Sequence, residues 1–233
     1  KLILCPHQSF MAKACLIEGG TASNNLVLGN YIGTDATGLV AIGNAQWGID
    51  LVDTGLSNAI GNGTVAGRNV IAGNSGNGGL AVNNANATTV RGNYVGLAAD
   101  GSTVLGNGSG FSGILVLSGS VGVVIGGTTA AEANVVAGSP EGIGFMSGSA
   151  AVLGNSIYQN TGLGIDLALN GVTANDAGDA DSGPNGLQNF PVISAAERVA
   201  GGLSVSGTLD VGPSQGGSYR IALYASASCD PSG

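Results

Sequence analysis

The residues able to do acid–base or metal chemistry are few enough to weigh one by one. In 233 residues there are six cations (Lys1, Lys13, Arg68, Arg91, Arg198 and Arg220), fourteen acids and one histidine, His7. An uronate lyase needs a carboxylate cluster holding Ca²⁺ beside an arginine or lysine base. Within the repetitive part of the chain only Arg68 and Arg91 offer that base. The acids nearest to them in sequence, Asp50, Asp53 and Asp100, are scattered. Glycoside hydrolysis needs two carboxyl groups about 5–10 Å apart. "GIDL" occurs twice and invites pairing Asp50 with Asp166, but most of the repetitive part lies between them. His7 has no acid and serine around it in sequence, so neither a Ser-His-Asp triad nor a histidine-based metal site assembles.

The densest group of hard oxygen donors is "NDAGDADSGPN", from Asn175 to Asn185. Asp176, Asp179 and Asp181 fall close together there, flanked by Asn175 and Asn185. Calcium takes six to eight oxygens, many from such loops, so these three aspartates are the candidate calcium ligands. The EF-hand pattern is absent, because Gly183 stands at a ligand position and no glutamate closes the loop. An Asx-rich turn leading into a following module is the alternative. Trp47, Tyr31, Tyr94 and Tyr158 are candidates for a sugar-stacking face. Cys5 and Cys15 can pair in an oxidising compartment; Cys229 is left over.

The elements that must position these residues are announced by composition. Charged residues are 9% and aromatics 4%, while glycine numbers 44. Valine, isoleucine, leucine and alanine dominate the apolar 43%, too much for a disordered chain. Many short strands joined by tight turns are the expectation. A net charge of −8 without a basic cluster argues against nucleic acid and anionic membrane surfaces as partners. No apolar run reaches the roughly 18 residues of a membrane span. The start at "KLILCPHQSF" reads as a truncated or processed end.

"GNYIGTDATGLVAIGN" (Gly29 to Asn44) returns without a gap as "GNYVGLAADGSTVLGN" (Gly92 to Asn107). Repetition at a fixed period, roughly 63 residues here, marks a solenoid. Apolar triplets centred on Val27, Ile49, Val70, Val90, Ile114 and Val135 advance by about 21 residues, and a second series does the same. The spacing predicts an all-β parallel β-helix of about 21 residues per coil, roughly seven coils from Leu26 to Gly171. Strands this short leave no room for crossover helices, and no 3.6-residue period supplies them. A left-handed hexapeptide helix is excluded by the missing six-residue pattern. The "GN" pairs at 29–30, 43–44, 73–74, 92–93, 106–107 and 154–155 are expected to turn each coil at the same place, with asparagines in the left-handed region and stacked as ladders. On this spacing Asp50 and Asp166 are more than five coils, about 25 Å, apart. Tyr31 and Tyr94 are three coils apart, with Tyr158 close to the same place, and Arg68 and Arg91 are neighbours about one coil apart.

The units "GNYIGTDATG…AIGN" and "GRNVIAGN", with "GIDLALNGVTANDAGDADSGPNGLQNFPVISAA", resemble the right-handed parallel β-helix repeat proteins of bacterial secreted and surface polypeptides. The resemblance covers about Asn25 to Gly233. It implies a pectate-lyase-like solenoid, export, and further domains of the same polypeptide, with "YRIALYASASCDPSG" continuing into further β structure. It implies no defined activity.

The expected organisation is an atypical leader or cap over residues 1–25, a β-helix with its Asx-rich loop over 26–189, and the start of a β-sandwich-like module over 190–233. The favoured function is a non-catalytic scaffold or adhesin, extracellular or on the cell surface, contacting polysaccharide or a cell surface. The alternative is a polysaccharide-active lyase or hydrolase using Arg68 or Arg91.

Overall fold

The structure, a computed structural model, describes residues 1–5, 14–212 and 218–224. Short strands alternate among three parallel sheets. The first sheet stacks Leu2–Ile3, Leu26–Val27, Ala59–Ile60, Thr89–Val90, Val123–Gly126 and Ala150–Leu153. The second stacks Tyr31–Ile32, Val70–Ile71, Tyr94–Val95, Val135–Ala137 and Ser156–Tyr158. The third, with the longest strands, stacks Cys15–Glu18, Trp47–Val52, Gly78–Asn83, Ser112–Leu117, Glu141–Phe145 and Ile165–Leu167. The chain visits first, second and third sheet in turn and then repeats, the arrangement of a β-helix-like solenoid.

The register corrects the expected coil. In the first sheet Val27 pairs with Ile60, Ile60 with Val90, Val90 with Ile125 and Ile125 with Val152. One turn therefore takes about half as much chain again as the sequence spacing suggests. The second sheet steps unevenly: Tyr31 to Val70 is long, Val70 to Tyr94 short, and Tyr94 to Val135 long again. One coil carries a long connection between second and third sheets (33–46, then 96–111), and the next carries it between first and second (61–69, then 127–134). The repeating unit that runs from Gly29 to Gly92 is thus two coils with their loops at different corners. The apolar spacing is one third of that unit, and each step lands on a different sheet: Val27 on the first, Ile49 on the third, Val70 on the second. Strand stacking also starts before Leu26, because Leu2–Ile3 pairs with Leu26–Val27 and Cys15–Glu18 with Ile49–Val52. Cys5 and Cys15 form a disulfide in this first turn, Cα atoms 5.3 Å apart.

The inward residues form one continuous core. Val27, Ile60, Val90 and Ile125 face Ile32, Ile71, Val95 and Val136, with Leu51, Val82, Val116 and Phe145 from the third sheet. Stacking like on like lets each coil bury its apolar face only against its neighbours.

The coils are tied at the corners by asparagine side chains. Between first and second sheets, Asn30, Asn69, Asn93, Asn134 and Asn155 form a five-rung ladder: each Nδ2 and backbone N–H donates to the next Oδ1 at 2.9–3.2 Å. Each Nδ2 from Asn69 onward also donates to a carbonyl of the preceding coil, from Val27, Ile60, Val90 and Ile125. Asn44, Asn74 and Asn107 form a second ladder at the next corner. Its room comes from glycine: a Cβ on Gly79 would lie 3.0 Å from Asn107 Nδ2 and from Val95. The "GN" asparagines are thus buried hydrogen-bonding residues and none has positive φ, whereas Gly29, Gly43, Gly73, Gly92 and Gly154 do. The amide supplies what a closed corner requires, a donor and an acceptor for backbone groups that water cannot reach.

Past the solenoid, Val192–Val199 and Gly202–Thr208 pair as an antiparallel hairpin. Its strands are largely exposed. Among the described residues the only helical segment is the short 3₁₀ turn Pro184–Leu187.

Asn93→Ala, in the middle of the five-rung ladder, is expected to destabilise the protein by about 3 kcal/mol, because it strands two buried donors of Asn69 and weakens the satisfaction of Asn134. Asn160→Ala, at the partly exposed end of the second corner, should cost about 1 kcal/mol or less. Urea unfolding of the two variants compares them; equal losses would mean that the ladder does not hold the coils.

Candidate functional site

Three of the long connections carry an acid each, Asp35, Asp100 and Glu132, and each acid turns its carboxylate on its own loop backbone. In the 33–46 connection, Asp35 accepts from the Thr37 hydroxyl and from the N–H groups of Leu39 and Val40. The Thr37 hydroxyl is the main cause holding Asp35 below the usual carboxylate range. In the following repeat Asp100 accepts from Ser102 N–H, Thr103 N–H and Thr103 Oγ1 at 2.6–2.8 Å. The Thr103 hydroxyl, then its N–H, bring Asp100 down to about 2. Both loops lie over a tyrosine of the second sheet: a Cβ on Gly38 would touch the Tyr31 ring, and one on Gly101 the Tyr94 ring and hydroxyl.

Arg68 and Arg91 lie at the same corner in successive coils, and Arg68 Nε donates to Gly92 O. Their guanidinium groups are directed to different partners. Arg68 sits over the Tyr94 ring, 4.2 Å from its centroid, and reaches the Tyr94 hydroxyl. Arg91 pairs with Glu132 at 2.7 Å. Glu132 also takes the Thr128 and Thr129 N–H groups and the Thr129 hydroxyl. Those Thr129 bonds, and then Arg91, hold it below the normal range.

Asp50 and Asp166 occupy one row on the outer face of the third sheet, through Ala81, Leu115 and Gly144. That is four coil steps, about 19 Å, rather than more than five. Asp50 is buried, while Asp53 is exposed just past the end of its strand and accepts from Asn84 Nδ2 at 2.8 Å. Tyr31 and Tyr94 are two coils apart through Val70 rather than three. Tyr158 pairs with Ala137, two residues off their row, which continues through Val135 to Ser156. Trp47 belongs to a different sheet, largely buried and stacked on Phe111 at 6.1 Å, so the four aromatics do not make one face. His7, Lys13 and Cys229 lie outside the described residues.

Asp176, Asp179 and Asp181 do converge, with carboxylate oxygens all within 4.8 Å of one another. Two of them also organise the loop. Asp176 accepts from the N–H groups of Ala180 and Asp181, and buried Asp179 from Asn189 N–H at 2.7 Å and Gln188 Nε2. Asp181 is exposed at residue level; burial of its carboxyl, then the charges of Asp176 and Asp179, push it up. Asn175 exchanges two hydrogen bonds with Phe190, and Asn185 Oδ1 accepts from Ala150 N–H at the edge of the first sheet. The set suits a hard cation in ligand type.

A second pair of acids escaped the sequence reading. Glu141 and Asp166 share the outer face of the third sheet in adjacent coils. Burial and then the Asp166 charge push the Glu141 carboxyl up. Ile143 pairs with Ile165 here, a step close to the expected coil, so the spacing already sets the two about one coil apart, and what the sequence lacks is a motif that links them.

No family model, curated protein or solved structure matches the chain.

Asp100 titrates at about 2 in the folded protein against 3.8 ordinarily. A lowered folded value stabilises the fold above the ordinary pKa, and that contribution disappears as pH falls through the folded one. A carboxyl-detected NMR titration is expected to put the Asp100 midpoint near 2, and Thr103→Val should raise it toward the ordinary value. A midpoint near 3.8 in the parent protein would remove the loop-organising role.

Proposed function

We propose that the chain is a non-catalytic β-helix scaffold of a secreted or cell-surface polypeptide, a rigid stalk or adhesin that contacts polysaccharide or a cell surface. The observation that carries the reading is the use of the charges. Arg68 is engaged by Tyr94 and Arg91 by Glu132. Asp100 is spent on its own loop, and Asp50 and Asp166 stand about 19 Å apart. A lyase base must be free to take a proton beside a carboxylate-bound cation. Export is supported by the buried Cys5–Cys15 disulfide, since such bonds persist in oxidising compartments. Right-handed winding follows the rule for parallel crossovers in one sheet.

The hairpin after Phe190 belongs, on this reading, to the start of a β-sandwich-like module, because a two-stranded sheet gains independent stability only with further strands. The aspartate loop between the two is the place for a calcium ion. It ties residues 176–178 to Asn189 and Asp210 through side-chain hydrogen bonds, and an ion there would stiffen the junction.

Purified protein assayed on polyuronates and neutral glycans, with Ca²⁺ and with chelator, is expected to release neither unsaturated products nor reducing ends. Turnover abolished by Arg68→Ala or Arg91→Ala would replace the scaffold with a polysaccharide-active enzyme. In the same preparations Ca²⁺ should raise the melting temperature by several degrees, and Asp181→Asn should reduce that gain. A gain untouched by Asp181→Asn would put the stabilising ion elsewhere.

A further inference from the structure

Five Asn-Gly pairs occur in the chain, beginning at Asn62, Asn77, Asn107, Asn170 and Asn185. In such a pair the glycine nitrogen can turn on the asparagine amide, because glycine has no Cβ to keep the two apart. Four of the pairs are closed to that approach by the fold. Asn107 is fully buried in the second ladder, and the glycine after Asn77 is buried in its strand. The N–H that follows Asn170 is donated to Asp166 Oδ2, and the one that follows Asn185 to Gly183 O.

Asn62 differs in each respect. It is exposed on the 61–69 loop, and neither its Nδ2 nor the Gly63 N–H has a hydrogen-bond partner among the described residues. A Cβ on Gly92 would stand 3.2 Å from the Gly63 nitrogen, so glycine in the neighbouring coil leaves that nitrogen uncovered. The Asn62 carbonyl oxygen, by contrast, is doubly bonded by one residue. Thr64 N–H donates to Oδ1 at 3.0 Å and the Thr64 hydroxyl at 2.7 Å. Gly67 N–H donates to that hydroxyl in turn, at 3.0 Å, which leaves the hydroxyl proton for Asn62.

Attack on the amide carbon would put negative charge on Oδ1, where two donors already stand. Donors fixed in advance at a developing oxyanion lower the barrier to such attack. We propose that Asn62 is a self-modification site, in which the Gly63 nitrogen attacks Asn62 Cγ while Thr64 polarises the carbonyl. Hydroxide takes the Gly63 proton, the N–Cγ bond forms, and the Cγ–Nδ2 bond breaks as ammonia leaves with a proton from water. Water then opens the succinimide at either carbonyl, giving aspartate or isoaspartate. The aspartate product puts a carboxylate into the one long connection that lacks it, as Asp35, Asp100 and Glu132 do in the others. The isoaspartate product lengthens the main chain of the loop.

The full chain is incubated in mildly alkaline buffer, and each Asn-Gly pair is followed by peptide mapping with mass spectrometry and isoaspartate methylation. Asn62 is expected to convert several-fold faster than the other pairs, and in urea that preference should vanish. Thr64→Val removes the hydroxyl and should slow conversion several-fold with an unchanged circular dichroism spectrum. Thr64→Ser should keep the parent rate. A loop that reacts only because it is exposed would do the reverse, since loosening it by Thr64→Val would speed the reaction. An unchanged or faster rate in Thr64→Val would therefore overturn the proposal. So would conversion of Asn62 no faster than that of Asn170 or Asn185, or a preference that persists in full in urea.

Discussion

Every coil must close the same corners without water, and that requirement governs the rest of the molecule. The backbone turning between first and second sheets is buried, so its N–H and C=O groups need partners inside the protein. Asn30, Asn69, Asn93, Asn134 and Asn155 provide them: from Asn69 onward each Oδ1 accepts from the asparagine of the preceding coil, and each Nδ2 also donates to a carbonyl of that coil. A coil of any other register would leave amides unpaired as well as misalign the apolar rows. Register is strongly specified when one face is buried. Here it is specified a second time by the polar corners.

That double constraint explains how loops of unequal length are tolerated. The second sheet advances from Tyr31 to Val70, Tyr94 and Val135 in long, short and long steps while its strands keep their row. Extra chain leaves the corner as a surface loop, and the cost of lengthening a loop grows slowly. Three of the four extra loops are organised by an acid of their own, Asp35, Asp100 and Glu132, and the 61–69 loop by Asn62, which accepts from Thr64. Asp35, Asp100, Glu132, Arg68 and Arg91 are thus engaged in building the coil surface and do not gather into a cluster. The acids that do converge, Asp176, Asp179 and Asp181, lie in the loop that follows the last coil.

How much was legible follows from which signals are local. The parallel solenoid, the glycine turns and the stacked asparagines can be read because they recur at equivalent positions. The Asp176, Asp179 and Asp181 cluster can be read because its members lie in one loop. The coil length cannot: a unit that runs from Gly29 to Gly92 divides evenly by three, and apolar triplets fall near each third, although the chain makes only two turns in that length. The false period carries into distances counted over several coils. It sets Asp50 and Asp166 too far apart and puts Tyr31 and Tyr94 three coils apart where there are two.

By itself the sequence determined that this chain stacks parallel strands around an aliphatic core, because a Gly-rich, β-branched, nearly uncharged repeat has few other ways to bury its apolar residues. It also determined where asparagine must recur. Only the tertiary structure decided how much chain makes one turn and which side chains meet across neighbouring turns. The physical reason is that hydrogen-bond register, set jointly by all three sheets, is a property of coils in contact. Tyr94 and Val135, or Asp50 and Ala81, carry no shared motif, and they become neighbours only when strands from successive coils are laid side by side.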